Sequence, residues 1–100
     1  MITPTVGRKM WYRPQGNLSP GQVQHDKTTP FDATVVYVWG PEMVNLLIAD
    51  HNGNIEARTS VPIVQEGGSW RAGESPYCEW MPYQTGQAKK TEELEKKLSS

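Results

Sequence analysis

Two histidines, one cysteine and an Asp/Asn-rich turn are the residues of this chain whose types could carry chemistry, and their spacing argues against most of it. A structural zinc site needs four Cys or His ligands, usually in closely spaced pairs. His25 and His51 stand 26 positions apart with no CxxC or HxxxH partner, so no metal is expected. The run Asp50-His51-Asn52-Gly53-Asn54 resembles a calcium loop, but its glycine is fourth rather than sixth, and Val61 stands at position twelve in place of the bidentate glutamate. Cys78 is the only thiol, which excludes an internal disulfide; with no base beside it in sequence, it reads as a small apolar residue. There is no GxSxG, no GxxxxGK and no paired-acid motif, and Gly67-Gly68-Ser69-Trp70-Arg71 does not lead directly into a helix as a phosphate cradle would. The chain is therefore expected to be non-enzymatic, with no catalytic residue and no cofactor.

The aromatics are more informative. Trp11, Tyr12, Tyr37, Trp39, Tyr77, Trp80 and Tyr83 fall in or beside strand-like segments, with Arg13, Arg58 and Arg71 near some of them. Flat indole and phenol rings stack on bases or on apolar partner surface, and arginine pairs bidentately with phosphate. The expected ligand-binding set is Trp11, Arg13, Asn45, Arg58, Trp80, Tyr83 and Gln84. Against it stands the plainer expectation that Trp11 and Trp39 plug the ends of a barrel and that Trp80-Met81 seals its core.

The whole-chain totals narrow the partners. A net charge of -1 and a pI near 6.1 supply no general positive field for nucleic acid or an anionic membrane. No apolar run approaches the length of a membrane span, and MITPTVGRK lacks the apolar stretch of a signal peptide, so a cytosolic location is expected.

Four segments have strand character: 6–13, 33–39, 44–50 and 55–64, with a short fifth at 77–81 ended by Pro82. Prolines and glycines make 14–30 an irregular loop, and Gly40-Pro41 a turn. Asn52-Gly53 predicts a tight type I′ hairpin. The register then pairs Ile48 with Ala57, Leu46 with Thr59 and Val44 with Val61 on a core face. Ala49 with Glu56, Leu47 with Arg58 and Asn45 with Ser60 make a wet face. From Gln87 to Leu98 the residues favour helix, with Glu92–Lys96 and Glu93–Lys97 in the favourable i, i+4 order. Its only apolar residues are Ala88, Leu94 and Leu98, a stripe too narrow to hold the helix on a core, so it is expected to fray or to pair with another copy. The expected fold is mainly β: a small antiparallel SH3-like barrel over 1–85, with a C-terminal helix or tail over 86–100. A five-stranded OB-like barrel is the nearest alternative.

The run VVYVWGPEMVNLLIADHNGNIEARTSVPIVQ, followed by CEWMPYQTGQAKKTEELE, resembles a group of small proteins encoded by tailed bacteriophages and prophages. In that group a VNL strand, a D-x-x-G turn, an R-x-S-V strand and a WMPYQ-x-x-QA closing segment recur in this order. The resemblance implies a phage accessory protein in the cytoplasm of a host bacterium, and it transfers no catalytic residue. The expected function is sequestration of a small anionic nucleotide signal by a homo-oligomer. The alternatives are protein–protein inhibition of a host factor or a virion accessory role, and, third, single-strand nucleic-acid binding.

Overall fold

A computed structural model describes residues 1–98, with side chains over 1–94. Five strands follow in order: β1 (Lys9–Arg13), β2 (Phe31–Gly40), β3 (Met43–Ala49), β4 (Ile55–Val64) and β5 (Tyr77–Glu79), and helix α1 (Pro82–Leu98) comes last. Neighbours pair antiparallel from β1 to β4, β5 pairs antiparallel with β1, and a parallel β4–β5 contact closes the barrel. This is the expected small barrel with a terminal helix. Parallel closure is possible because 65–76 carries the chain across from the end of β4 to the start of β5.

Inward residues of every strand meet in one core: Met10 and Tyr12, Phe31, Ala33 and Val35, Val44, Leu46 and Ile48, Val61 and Ile63, then Cys78 and Trp80. Adjacent Trp11 and Tyr12 take opposite faces, as the strand pleat requires, with Tyr12 fully buried and Trp11 half-exposed.

Alternation breaks where the strands cross Asn45. Val35 pairs with Leu46 but Tyr37 with Asn45, so Val36 is an extra residue in β2; a second shift leaves Trp39 extra before Gly40 pairs with Met43. On the other side Val44 pairs with Val61 but Leu46 with Arg58, so Thr59 and Ser60 together oppose Asn45. A one-residue slip exchanges the faces of everything beyond it. The expected register therefore holds at Val44–Val61 and fails toward the turn. There Ile48 opposes Glu56 and Leu46 opposes Arg58 on the inner side, while Leu47–Ala57 and Ala49–Ile55 face out. The face expected to be wet is apolar, and Glu56 and Arg58 sit half-buried on the inner side.

The β3–β4 connection is also longer than a two-residue turn. It runs from Asp50 to Asn54, with Gly53 at φ +82 and no positive φ at Asn52, so it is not type I′. The Gly53 N–H donates to the Asp50 carbonyl at 3.0 Å, and the buried Asp50 carboxylate organises the rest. Its Oδ1 accepts from the N–H groups of Asn52 and Asn54, and its Oδ2 from the Asn54 amide and from the N–H of Val23 in the 14–30 loop. Burial alone would raise this carboxyl, but the bonds from Asn54, Val23 and Asn52 outweigh it and hold the group down at about 2.

Helix α1 begins at Pro82, five residues before the expected Gln87, and the barrel correspondingly ends at Met81 instead of 85. Proline is suited to the first helical position, where no N–H is needed. The Gln84 side-chain oxygen accepts from the Met81 N–H at 2.8 Å, half of a capping box, while its amide donates to the Lys9 carbonyl of β1 at 2.8 Å. Beyond this base the helix is held by exposed ion pairs, Lys89–Glu66 at 3.5 Å and the N-terminal amine to Glu92 at 3.9 Å, contacts that contribute little in water. A helix of 17 residues is about 25 Å long. Molecular extents of 54 × 26 × 23 Å accordingly mean that it projects from the barrel. The expected pairs Glu92–Lys96 and Glu93–Lys97 and the Leu98 end of the stripe lie outside the described side chains.

Two outcomes follow from these contacts. Trp80 is 5% exposed and its indole N–H donates to Gln65 Oε1 at 3.1 Å. Trp80→Ala is expected to cost about 3–5 kcal/mol in urea denaturation, and a midpoint equal to the parent's would place Trp80 outside the core. For Asp50, the folded-state pKa lies below the unfolded value near 3.9, so its stabilisation is complete above that value and is lost as pH falls through about 2. Asp50→Asn is expected to lower the urea midpoint at about pH 6 and to narrow its difference from about pH 2.5; an unchanged difference would remove Asp50 from acid unfolding.

Candidate functional site

The bulges that break alternation assemble the most distinctive surface of the molecule. In an unbroken β2, Tyr37 and Trp39 would follow Ala33 and Val35 into the core. The extra residue at Val36 rotates both outward, so Trp39 is not the barrel plug expected of it. Trp39 is 58% exposed and Tyr37 51%, and their rings meet edge to face with centroids 4.9 Å apart. On the same outer face lie Leu47 at 42% and Ile55 at 61%, with Val36 exposed beside them. At aromatic side-chain areas of roughly 150–250 Å² each, Tyr37 and Trp39 alone expose on the order of 200 Å² there. From Thr34 to Trp39, Met43 to Ala49 and across Ile55 and Ala57, no outward position carries a charge.

Asn45 is the polar centre of that face. Its Oδ1 accepts the Trp39 indole N–H and the Ser60 backbone N–H, both at 2.8 Å. Ser60 sits at φ +54, a conformation that favours glycine and costs of order 1 kcal/mol or more in other residues. The Asn45 bond supplies the local compensation.

The other expected site residues are dispersed. Arg13 and Trp11 are neighbours, the guanidinium 5.7 Å from the indole centroid, but Arg13 Nε is paired with Glu79 at 3.4 Å and Nη1 donates to the Thr28 carbonyl at 2.8 Å. Arg58 lies 6.0 Å from the Tyr12 ring, with Nη2 donating to the Asn17 carbonyl and Ser19 hydroxyl. Both arginines therefore tie down the 14–30 loop. Trp80 is core, with Arg8 at 5.6 Å from its ring. Tyr83, 72% exposed, and Gln84 stand at the base of α1 beside a groove shared with Arg8 and Ile2. Arg71 donates to the carbonyls of Gly68 and Trp70 in its own loop. A cavity of about 440 Å³ between α1 and the barrel is lined by Ile2, Val64, Trp80 and Ala88, and its rim acids Glu66, Glu79 and Glu92 each have a cationic partner.

The two histidines, unrelated by any sequence spacing, stack on each other with centroids 5.9 Å apart. Only the pairing of the 14–30 loop with the β3–β4 turn brings them together. Cys78 is fully buried, and burial pushes its thiol up to about 12, which leaves it unreactive. Among the described residues no three His, Cys, Asp or Glu side chains are placed to hold a metal ion, and no helix is long and apolar enough to cross a membrane. Comparison with protein-family models, curated proteins and solved structures finds no match to this chain. The site is therefore argued from its own geometry.

Ser60→Gly is expected to keep or raise the urea midpoint, because glycine takes positive φ freely. Asn45→Ala is expected to cost about 1–2 kcal/mol by removing the acceptor for two N–H groups. Equal midpoints for the parent and both variants would show that the bulge does not depend on this contact.

Proposed function

We propose that the chain is a non-enzymatic phage accessory protein, acting in the cytoplasm of a host bacterium, that works by binding a host protein through the outer face of β2, β3 and β4. The observation that carries this reading is the exposed Tyr37–Trp39 pair on an apolar surface with Leu47 and Ile55, flanked by Lys9 and Asp32, which pair with each other at 3.1 Å. Aromatic anchors among small apolar neighbours are the usual energetic centre of a protein interface. The phage setting rests on the resemblance carried by the WMPYQ segment and its flanking strands.

An apolar face whose flanking Lys9 and Asp32 are paired with each other can also meet itself without burying an unpaired charge, so self-association through this surface belongs to the same reading. Sequestration of a nucleotide signal is less well supported, because Arg13 and Arg58 already hold Glu79, Thr28, Asn17 and Ser19. Single-strand nucleic-acid binding is weaker again at a net charge of -1.

Sedimentation equilibrium and a thermal-shift screen test the choice together. The parent is expected to associate with rising concentration, Leu47→Glu and Trp39→Ala to stay monomeric while folded, and nucleotides, cyclic dinucleotides and oligonucleotides to leave the melting temperature unchanged. A monomeric parent stabilised by a cyclic dinucleotide would overturn the protein-contact reading in favour of nucleotide sequestration.

A further inference from the structure

His51 is held through both ring nitrogens. The His25 backbone N–H donates to His51 Nδ1 at 2.8 Å, and His51 Nε2 lies 3.0 Å from the Thr29 carbonyl oxygen. A nitrogen that accepts carries no proton, and a carbonyl only accepts, so the ring is neutral with its proton on Nε2. The His25 ring lies over it at an interplanar angle of 13°, its own Nε2 2.6 Å from Asn52 Oδ1, and Phe31 meets His51 edge-on at 4.9 Å. These contacts fix residues 24–29 between two firm points: Val23, whose N–H is on Asp50 at 2.8 Å, and Phe31, where β2 begins. The segment in turn supplies Gln24 and Lys27 to the lining of a cavity of about 560 Å³, together with Arg13, Gln15 and Glu74.

We propose that residues 24–29 form a flap over this cavity, latched by neutral His51 and released when His51 takes a second proton. Protonation at Nδ1 turns the acceptor into a donor aimed at another donor, the His25 N–H, and that bond is lost. Protonation of His25 adds like-charge repulsion across the stack. The charged and titratable groups around the latch leave the histidines as its trigger. Asp50, next in sequence, is held at about 2 by its hydrogen bonds, which outweigh its burial. On the flap, bonds from the side chains and N–H groups of Thr28 and Thr29 keep Asp26 well below the usual carboxylate range. Lys27 lies on the flap itself, and Arg13 reaches it from β1, its Nη1 donating to the Thr28 carbonyl at 2.8 Å. The Val23 anchor persists because Asp50 does not titrate where histidine does.

Amide hydrogen exchange read by NMR tests the latch, with intrinsic rates divided out at each pH. From about pH 7.5 to about pH 5.5 the protection of the His25 amide is expected to fall about tenfold or more, while that of Leu46 in the core strand β3 holds. The loss should track the titration of the His51 ring resonances. His51→Gln, whose amide cannot take up a proton in this range, is expected to abolish the pH dependence. An unchanged His25 amide in the parent, an equal fall in His51→Gln, or a fall shared by Leu46 would each overturn the proposal.

Discussion

Asn45 Oδ1 accepts one N–H from β2 and one from β4, and the strands on both sides carry their extra residues opposite it. A strand with an odd residue inserted shows its opposite face from that point on. Without the bulge in β2, Tyr37 and Trp39 would compete for a core already filled by Tyr12, Phe31 and Leu46. Without the one in β4, Ile55 and Ala57 would turn in, and Glu56 and Arg58 would join Leu47 on the surface. One polar side chain at the centre of β3 thus stands where both exchanges of face take place.

Two kinds of surface result. Away from the exposed Lys9–Asp32 ion pair beside it, the outer face of β2, β3 and β4 is apolar, and any contact there would be driven by area removed from water. The inner mouth and the 14–30 loop are polar, and nearly every charged or imidazole group nearby is bonded to that loop: Arg13 to Thr28, Arg58 to Asn17 and Ser19, Asp50 to Val23, His51 to His25 and Thr29. A 17-residue irregular segment has no ladder of its own, and these side chains satisfy backbone groups that strands would otherwise pair. Residues that look in sequence like a phosphate site are the fastenings of a loop.

The elements themselves were legible. The β-branched run at Ala33–Trp39 and the turn at Gly40-Pro41 each state a local preference that the fold obeys, whereas Asn52-Gly53 marks the place of a connection and not its type. Face assignment was not, because a bulge is a tertiary compromise with no residue signature: Val36 is an ordinary strand residue, and Ser60 gives no hint of its positive φ. The start of α1 was hidden for a different reason. Pro82 ends a strand and opens a helix with equal ease, and only the Gln84 bond to Met81 shows which. Trp11 and Tyr12 on opposite faces followed from the pleat alone, whereas the stacking of His25 on His51 depends on where a long loop lands.

Strand β5 has only three residues, yet it alone joins the two ends of the barrel, bringing Arg13 to Glu79 across 66 residues of chain. The β2–β3–β4 meander needs only short connections to form, whereas closing a long loop carries an entropy penalty that so brief a strand repays poorly. Ring closure therefore belongs late in folding. Until the ribosome has released Tyr77–Glu79, the meander stands with its inner face uncovered and its outer face apolar, a sheet greasy on both sides. Such a chain is most exposed to misassociation during its own synthesis.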